Sequence, residues 1–284
     1  MMIPVLHVDA FTNCQYAGNP GGVCLLPRMA DPAWMQSVAA EMNLAETAFL
    51  VSRGDGAFDL RWFTPTVEVP LCGHATLAAA HAIWERGIEP ADRTLVFSTA
   101  SGALRARQLD GGWIELDFPT IRIEDVAPDD DRWSAVTALS AALGVEIREA
   151  AVSGPYWVML AGSASDVRSA RPDIAALARL GEMIILTAAA DGVLPGTATL
   201  PPGVAAADFI SRVFVPAWGI PEDPVTGSAH CALAPFWSHR IGCSQMTGFQ
   251  ASARGGVVGM VLTDDNRVLL RGQAVTTIEG QLRA

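Results

Sequence analysis

One arrangement of residues occurs twice in this chain and restricts its fold more than any other feature. In each copy an extended segment ends at proline, a loop with an acidic residue follows, and glycine and a polar residue open an apolar run. The runs at 75–84 and 229–237 are apolar on almost every helical face, which is typical of a buried helix. Both are too short to cross a bilayer. We therefore expect two buried helices, and Pro235 is expected to kink or shorten the second.

Glycines open both predicted helices, at Gly73 and Gly227. The first backbone N–H groups of a helix have no partner within the helix, so such ends attract anions, carboxylates among them. Two such ends in one chain predict a cleft that holds a small acidic metabolite.

Composition limits the classes of partner. A chain of 284 residues, 50% of them apolar, is long enough for two domains or one large one. A formal charge of −11 argues against nucleic acid or an anionic membrane as partner. The N-terminal residues do not form a basic segment followed by an apolar one, so no secretory signal is expected. The scattered cysteines form no CxxC pair, which favours a reduced, cytoplasmic location.

All 19 basic residues are arginines. The absence of lysine excludes Schiff-base chemistry, and with it pyridoxal phosphate enzymes and lysine-dependent aldolases. It also removes the lysine of a P-loop, and no GxGxxG motif follows a predicted strand. The common cofactor-binding signatures are therefore missing.

Three shorter helices are predicted besides the two buried ones. The first follows the N-cap residue Asp31 and ends near Asn43, and the others lie at 133–143 and near 174–180. The segment 188–207, rich in Ala, Gly and Pro, is expected to be irregular.

Alternating or apolar segments predict strands throughout both halves. Predicted strands lie at 3–10, 23–26, 48–51, 58–63, 94–98, 103–108, 113–118, 156–160, 183–187, 209–215, 256–262, 268–271 and 274–278. The last three are expected to form a closing meander. The acidic segment 121–131 predicts the domain junction, with an N-terminal domain of residues 1–120 plus 272–284 and a C-terminal domain of residues 121–271. Each half is mostly strands around one buried helix, which indicates an α+β duplicated architecture.

Five segments taken together resemble one known family. They keep the family's order, cover both halves, and lie at 8–12, 18–20, 43–49, 71–76 and 222–229. With these residues the chain resembles the PhzF-like phenazine-biosynthesis isomerase family, within the diaminopimelate epimerase-like fold. The resemblance implies two pseudo-symmetric domains, each a curved, barrel-like, mostly antiparallel sheet around a buried central helix. It also implies a cofactor-free active site in the cleft between the domains, and a homodimer.

The resemblance also implies roles for single residues. The family's acid/base carboxylate falls on Glu46. Its substrate-binding groups fall on His74, Asp223, Ser228 and the backbone amides of Gly73 and Gly227. In a largely apolar cleft the pKa of such a glutamate is raised toward neutrality, which suits it to take and return a proton. Gly21 and Gly22 stand where many members carry larger residues, which is expected to loosen that loop.

Each of these side chains also has a purely structural interpretation. Glu46 is then a solvated carboxylate beside a helix end, Asp223 a charge that complements a helix dipole, and Ser228 a helix cap. His74 and His81 share a helix face but lack a third ligand at a plausible spacing, so no metal site is expected and His81 is assigned to the core.

Cys72 leaves a second activity open. The related racemases and epimerases use two cysteines, one in each half, as a paired acid and base. Cys72 occupies the first of these places, but Thr226 occupies the second. A threonine hydroxyl is a far poorer acid or base than a thiol near neutral pH. Paired-thiol chemistry is therefore disfavoured.

The sequence thus predicts a cofactor-independent isomerase that moves a proton within a small carboxylate substrate, with Glu46 as both acid and base. Two alternatives stay open. One is an amino-acid-type epimerase or racemase that uses Cys72. The other is a protein that binds a metabolite without turning it over.

Overall fold

The computed structural model describes residues 2–196, 198–201 and 203–283. The chain divides into two compact units: unit 1 is Met1–Phe118 with Leu269–Ala284, and unit 2 is Pro119–Val268. The boundaries proposed from the sequence lie a few residues away from these. That the two units are separate domains stays a prediction.

The elements of the chain as far as β8 belong to unit 1 or reach its boundary. They are β1 (Met2–Ala10), β2 (Asn19–Leu26), α1 (Pro32–Met42), β3 (Glu46–Gly54), β4 (Ala57–Phe63), β5 (Glu68–Val69), α2 (Gly73–Glu85), β6 (Leu95–Thr99), β7 (Gly102–Gln108) and β8 (Ile114–Pro119).

The remaining elements form unit 2 and then return to unit 1. They are β9 (Ile123–Val126), α3 (Trp133–Leu143), β10 (Ile147–Ser153), β11 (Tyr156–Ala161), α4 (Ala164–Ser169), α5 (Ile174–Leu180), β12 (Met183–Ala189), β13 (Phe209–Val215), β14 (Ile220–Asp223), α6 (Gly227–Ile241), β15 (Gln245–Gln250), β16 (Gly256–Leu262), β17 (Arg267–Gly272) and β18 (Ala274–Arg283).

The two units repeat the same succession of strand pairings. In unit 1, β1–β2 is antiparallel, β2–β3 parallel, β3–β4 antiparallel, β4–β6 parallel and β6–β7 antiparallel. In unit 2, the pairs β10–β11, β11–β12, β12–β13, β13–β15 and β15–β16 follow the same order of directions. Each unit therefore holds a curved, open and mostly antiparallel sheet, and the predicted duplicated α+β fold is confirmed.

The two central helices are buried, as their all-round apolar sequences predict. Every residue of α2 from His74 to Ala80 is buried, and α2 packs on β1, β2, β3 and β18. In unit 2, α6 packs on β9, β11, β15 and β16. Over the described residues, the helices are too short or too polar for any of them to span a membrane.

Pro235 lies inside α6 without ending it. The helix continues to Ile241, so the expected shortening is wrong. A proline has no N–H to donate to the carbonyl four residues earlier. That carbonyl, of Cys231, instead accepts a hydrogen bond of 3.1 Å from the backbone N–H of Ile121. A donor from the loop between β8 and β9 thus replaces the missing helical one.

The shorter helices are largely as predicted. Asp31 caps α1 by accepting a hydrogen bond of 2.9 Å from the N–H of Ala33, and Asn43 ends the helix in the left-handed region. Helices α3 and α5 have the predicted bounds, whereas α4 was not predicted. Between β12 and β13 the described residues form no helix or strand; residues 197 and 202 of that predicted irregular segment lie outside the described residues.

Several sequence-based expectations need correction. Strand β18, the last strand of the predicted closing meander, pairs antiparallel with β1. Strand β9 lies within the predicted junction, and β10 and β15 were missed. Gly21 and Gly22 belong to β2, in register with Glu46 and Thr47 of β3, so the expected loosened loop is part of a paired strand.

Candidate functional site

Two ion pairs mark equivalent places in the two units. In unit 1, Arg61 Nε lies 2.7 Å from Glu68 Oε1, and Nη2 lies 2.6 Å from Oε2. In unit 2, Arg212 Nε lies 2.7 Å from Glu222 Oε1, and Nη2 lies 2.8 Å from Oε2. Each arginine belongs to the strand before the loop of the repeated arrangement, β4 or β13. The pairs therefore fix how the two halves correspond.

Counting on from the two glutamates aligns the starts of the central helices. Cys72, Gly73 and His74 of unit 1 correspond to Thr226, Gly227 and Ser228 of unit 2. Each helix begins at the glycine, and in neither case does the side chain before it cap the first turn. Both helices therefore offer N-terminal backbone groups that their own cap residues do not bind.

The strand pairings give a second correspondence. Glu46 of β3 lies opposite Gly21 of β2, and Met183 of β12 lies opposite Tyr156 of β11. The antiparallel pairs β3–β4 and β12–β13, which contain Arg61 and Arg212, give the same alignment. The places of Gly21 and Glu46 in unit 1 are thus held by Tyr156 and Met183 in unit 2.

Unit 1 gathers four polar side chains at the start of α2, and we call Asn19, Glu46, Cys72 and His74 the Glu46 cluster. Oε2 of Glu46 lies 3.2 Å from Nε2 of His74. On the other side of the ring, Nδ1 of His74 lies 3.3 Å from Nδ2 of Asn19 and 3.5 Å from Sγ of Cys72. The His74 side chain is 6% exposed and that of Glu46 is 15% exposed.

The neighbours of the His74 ring set its protonation. The Asn19 amide and the Cys72 thiol both offer a hydrogen to Nδ1, so Nδ1 accepts and Nε2 carries the ring proton. Burial lowers the pKa of His74 from 6.5 to about 4, so the ring is neutral at pH 7. Nε2 makes no hydrogen bond among the described residues, although it is close to Glu46. A neutral N–H donor and a carboxylate therefore stand side by side.

Gly21 makes room for this ring. A Cβ atom added at Gly21 would lie 3.5 Å from Cδ2 of His74. That separation is an ordinary contact for one carbon, but it leaves no space for a longer side chain. The glycine that the sequence suggested would loosen a loop instead lies directly against the His74 ring.

Unit 2 has a different set of groups at the start of α6, and we call Asp223, Thr226 and Gln250 the Thr226 network. The Thr226 hydroxyl donates to Oδ2 of Asp223 and accepts from Nε2 of Gln250 at 3.2 Å. Gln250 also accepts from the Thr226 N–H at 2.9 Å. Because its proton already binds Asp223, the Thr226 hydroxyl does not match the role of a second catalytic thiol.

Ser228 has a partner that the sequence analysis missed. Its Oγ lies 2.7 Å from the hydroxyl of Tyr156, whose side chain is almost wholly buried. Tyr156 was identified only as the first residue of a strand. The sequence offers no local signal for this contact, because it joins residues 72 positions apart.

The predicted site residues fall into two groups. Glu46, Gly73 and His74 lie together in unit 1, and Asp223, Gly227 and Ser228 lie together in unit 2. The side chain of His81 lies 3.4 Å from Glu85 on α2, outside the Glu46 cluster.

The Glu46 cluster also contains a possible ligand set for a metal ion. One ligand atom each from Glu46, Cys72 and His74 lies within 4.8 Å of the others. This grouping was not predicted from the sequence, where only His74 and His81 share a helix face. That the protein works without a metal stays a prediction.

Comparison with known proteins gives consistent results for the whole chain. A family model described as "Phenazine biosynthesis-like protein", PhzC-PhzF, matches residues 8–280. An uncharacterized isomerase of Halalkalibacterium halodurans is 42% identical over 284 residues, which cover 99% of this chain and 99% of that protein.

Solved structures agree with the sequence comparison. A crystal structure of a phenazine biosynthesis protein of the PhzF family from Enterococcus faecalis is 36% identical, with a TM-score of 0.86 and complete coverage of both chains. A probable proline racemase from Agrobacterium radiobacter is 13% identical, with a TM-score of 0.63 over 99% of this chain and 93% of that one. The second similarity concerns the fold alone.

Proposed function

The chain belongs to the phenazine biosynthesis-like family PhzC-PhzF and is an isomerase, and we propose that it moves a proton within a small carboxylate without a cofactor. Glu46 takes the proton from one carbon and returns it to another. The neighbouring His74 N–H donates a hydrogen bond to the substrate. The 3.2 Å distance between Oε2 of Glu46 and Nε2 of His74 supports these roles. Asn19 and Cys72 contact the far side of the ring.

A neutral histidine suits this chemistry better than a charged one. A protonated ring would hold Glu46 in a tight ion pair and lower its basicity. With its pKa lowered to about 4 by burial, His74 is a neutral donor at physiological pH. It can then polarise a substrate oxygen while the carboxylate removes a proton.

The comparison of the two units favours a single base. Met183 holds in unit 2 the place that Glu46 holds in unit 1, and an apolar thioether cannot take a proton. Thr226 holds the place of Cys72, and its hydroxyl is engaged with Asp223. A proton shuttled by one carboxylate therefore fits these residues better than a racemisation with one base on each side.

The starts of the two central helices supply the charge stabilisation. We propose that Gly73 and Gly227 donate backbone N–H groups to the substrate carboxylate and to the enolate-like charge that develops as the proton leaves. Ser228 and Asp223 complete the substrate-binding set. That one substrate contacts both units and that the protein is a homodimer stay predictions from the family resemblance. The cytoplasmic location stays a prediction from the cysteine pattern.

A ligand screen followed by isotope exchange tests this function. Small unsaturated and α-substituted carboxylates are screened for a rise in melting temperature, because a ligand of the folded state stabilises it by mass action. Each hit is then incubated with the protein in D2O and followed by NMR. We expect conversion to an isomer in which the double bond has moved and the receiving carbon has gained hydrogen or deuterium.

The same experiment separates the alternatives. Exchange at one carbon with inversion of its configuration would assign the protein as an epimerase. Stabilising hits that never exchange or rearrange would indicate a binding protein instead and would contradict the proposed proton shuttle.

A further inference from the structure

We propose that Tyr156 is a positioning residue that orients the hydroxyl of Ser228 toward a carboxylate ligand at the start of α6. The proposal rests on the proposed function, because it takes Ser228 to be a substrate-binding residue. Tyr156 itself does not touch the ligand. It acts by deciding which way the Ser228 proton points.

The acidities of the two hydroxyls indicate the direction of the hydrogen bond between Tyr156 and Ser228. The Tyr156 hydroxyl lies 2.7 Å from Oγ of Ser228. Tyr156 is 2% exposed, whereas Ser228 is only half-buried. A phenol is a stronger acid than an aliphatic alcohol, so Tyr156 donates and Ser228 accepts. The Ser228 proton is then directed away from Tyr156 and is available to an acceptor outside the pair.

Two linked hydrogen bonds strengthen each other in a buried environment. A Ser228 oxygen that accepts from Tyr156 becomes a better donor to a carboxylate, because each bond polarises the next. Burial raises the pKa of Tyr156 to about 12, although the hydrogen bond to Ser228 acts in the opposite direction. Tyr156 therefore keeps its proton and remains a donor throughout the physiological pH range.

The duplication shows why a tyrosine fits here. In unit 1 a large ring, His74, comes from the helix and a glycine, Gly21, leaves space for it on the strand. In unit 2 the helix residue is the small Ser228, and the large ring of Tyr156 comes from the strand. Compared with unit 1, unit 2 therefore has the large residue on the strand and the small residue on the helix. Each unit places one ring with a polar hydrogen beside the start of its central helix.

A binding experiment without turnover tests the role of Tyr156. The chain has two tyrosines, so protein labelled with [13Cζ]tyrosine gives two signals, assigned with the variant Tyr16→Phe. Benzoate serves as the carboxylate probe. We expect saturable movement of the Tyr156 signal on titration with benzoate, and none of the signal of Tyr16, which is 75% exposed.

Three variants then separate positioning from packing. Tyr156→Phe keeps the ring and should weaken benzoate binding by about 2- to 10-fold, the effect of one net hydrogen bond. Ser228→Ala should weaken binding at least as much and abolish the response of Tyr156. The double variant should bind like Ser228→Ala, because Tyr156 acts only through Ser228. Tyr16→Phe is the matched control and should bind like the wild type.

Three outcomes overturn the proposal: no response of Tyr156 to benzoate in the wild type, unchanged affinity in Tyr156→Phe, or additive losses in the double variant. A lower melting temperature of Tyr156→Phe with unchanged affinity assigns the contact to packing alone. The variant Glu46→Gln should bind benzoate normally and keep the Tyr156 response. The positioning role of Tyr156 and the proton shuttle by Glu46 can therefore be contradicted separately.

Discussion

Oε2 of Glu46 and Nε2 of His74 are 3.2 Å apart, yet Nε2 is not hydrogen-bonded to any described residue. A close but unaligned donor and acceptor leave a third group room to engage both. In a neutral ring the proton on Nε2 adjoins the carboxylate without being transferred to it. This pair carries the proposed chemistry.

Glu46→Gln keeps the shape of the side chain and removes the base. We expect the exchange rate of a carboxylate hit to fall by about 10²–10⁴-fold, the usual contribution of a general acid/base group. Its affinity, measured by calorimetry, should change little because the helix N-termini still bind the carboxylate. Cys72→Ser is the matched variant in the same cluster and should retain most activity. Normal turnover by Glu46→Gln together with an inactive Cys72→Ser would transfer the acid/base role to Cys72.

Removal of metal ions should leave the activity unchanged. The proposed mechanism uses a carboxylate, a neutral histidine and backbone amides, and no step needs a Lewis acid. The measurement is the exchange rate before and after dialysis against dipicolinate. Loss of activity that zinc restores would instead make Glu46, Cys72 and His74 the ligands of a catalytic metal ion.

Two adjacent glycines of β2 should differ in their tolerance of alanine. A Cβ at Gly22 would lie 2.8 Å from Oγ1 of the buried Thr47, so Gly22→Ala should reduce the free energy of unfolding by about 1–3 kcal/mol. A Cβ at Gly21 meets only atoms at 3.5 Å or more, and Gly21→Ala should be close to neutral. Urea denaturation of both variants checks this. Equal stability of the two would show that Thr47 moves aside freely.

The two equivalent arginines should differ in their contribution to stability. Arg212 also donates to the carbonyl oxygens of Val167 and Ala170, at 3.3 and 2.9 Å, and its side chain is 12% exposed. Arg212→Met should cost about 3 kcal/mol, because it leaves Glu222 without its partner in a shielded place. Arg61→Met should cost less than about 1 kcal/mol, since that pair is more exposed. Thermal unfolding of both variants provides the comparison, and a larger cost at Arg61 would contradict it.

Acid should destabilise the protein through its buried histidines. Burial lowers the pKa of His230 from 6.5 to about 4. The unfolded chain therefore binds the proton first, and the stabilisation is complete above pH 6.5 and is lost as the pH falls toward 4. At 1.36 kcal/mol per pKa unit this amounts to roughly 3 kcal/mol. The melting temperature should therefore fall steeply between pH 6.5 and 4.

The variant His230→Gln isolates this contribution. Its amide can still donate to the Thr226 carbonyl, which His230 Nδ1 contacts at 2.8 Å. We expect a shallower acid dependence than in the wild type. His239→Gln, on the exposed face of the same helix, is the control and should follow the wild-type profile. Identical slopes for both variants would contradict a role of His230.

Much of the fold could be predicted from local sequence patterns. The central helices were predictable because residues apolar on every face have no stable place on a surface. Gly144 ends α3 because it adopts the left-handed conformation of a helix cap. Asp31 begins α1 because its side chain accepts a hydrogen bond from the first turn. Strands β10 and β15 were missed because polar residues interrupt their apolar pattern. Their place in the sheet comes from pairing with neighbours, which periodicity does not reveal.

The candidate site was harder to predict from the sequence than the fold. Glu46 and His74 were identified through a family resemblance, and their contact depends on how β3 packs against α2, which sequence patterns do not reveal. The contact between Tyr156 and Ser228 depends in the same way on how β11 meets α6. Cys72 was considered as an acid, but its distance of 3.5 Å from Nδ1 of His74 gives it an additional part in setting the tautomer.

The pairing of β1 with β18 has a consequence for synthesis on the ribosome. Strand β1 emerges early, but its neighbour β18 follows the whole of unit 2 in the sequence. All of unit 2 is therefore translated before the sheet of unit 1 can be completed. During that interval β1 exposes an unpaired edge, and nascent chains close together on a polysome are at risk of pairing with one another. Unit 1, whose first strand is synthesised first, is therefore also the unit whose sheet is completed last.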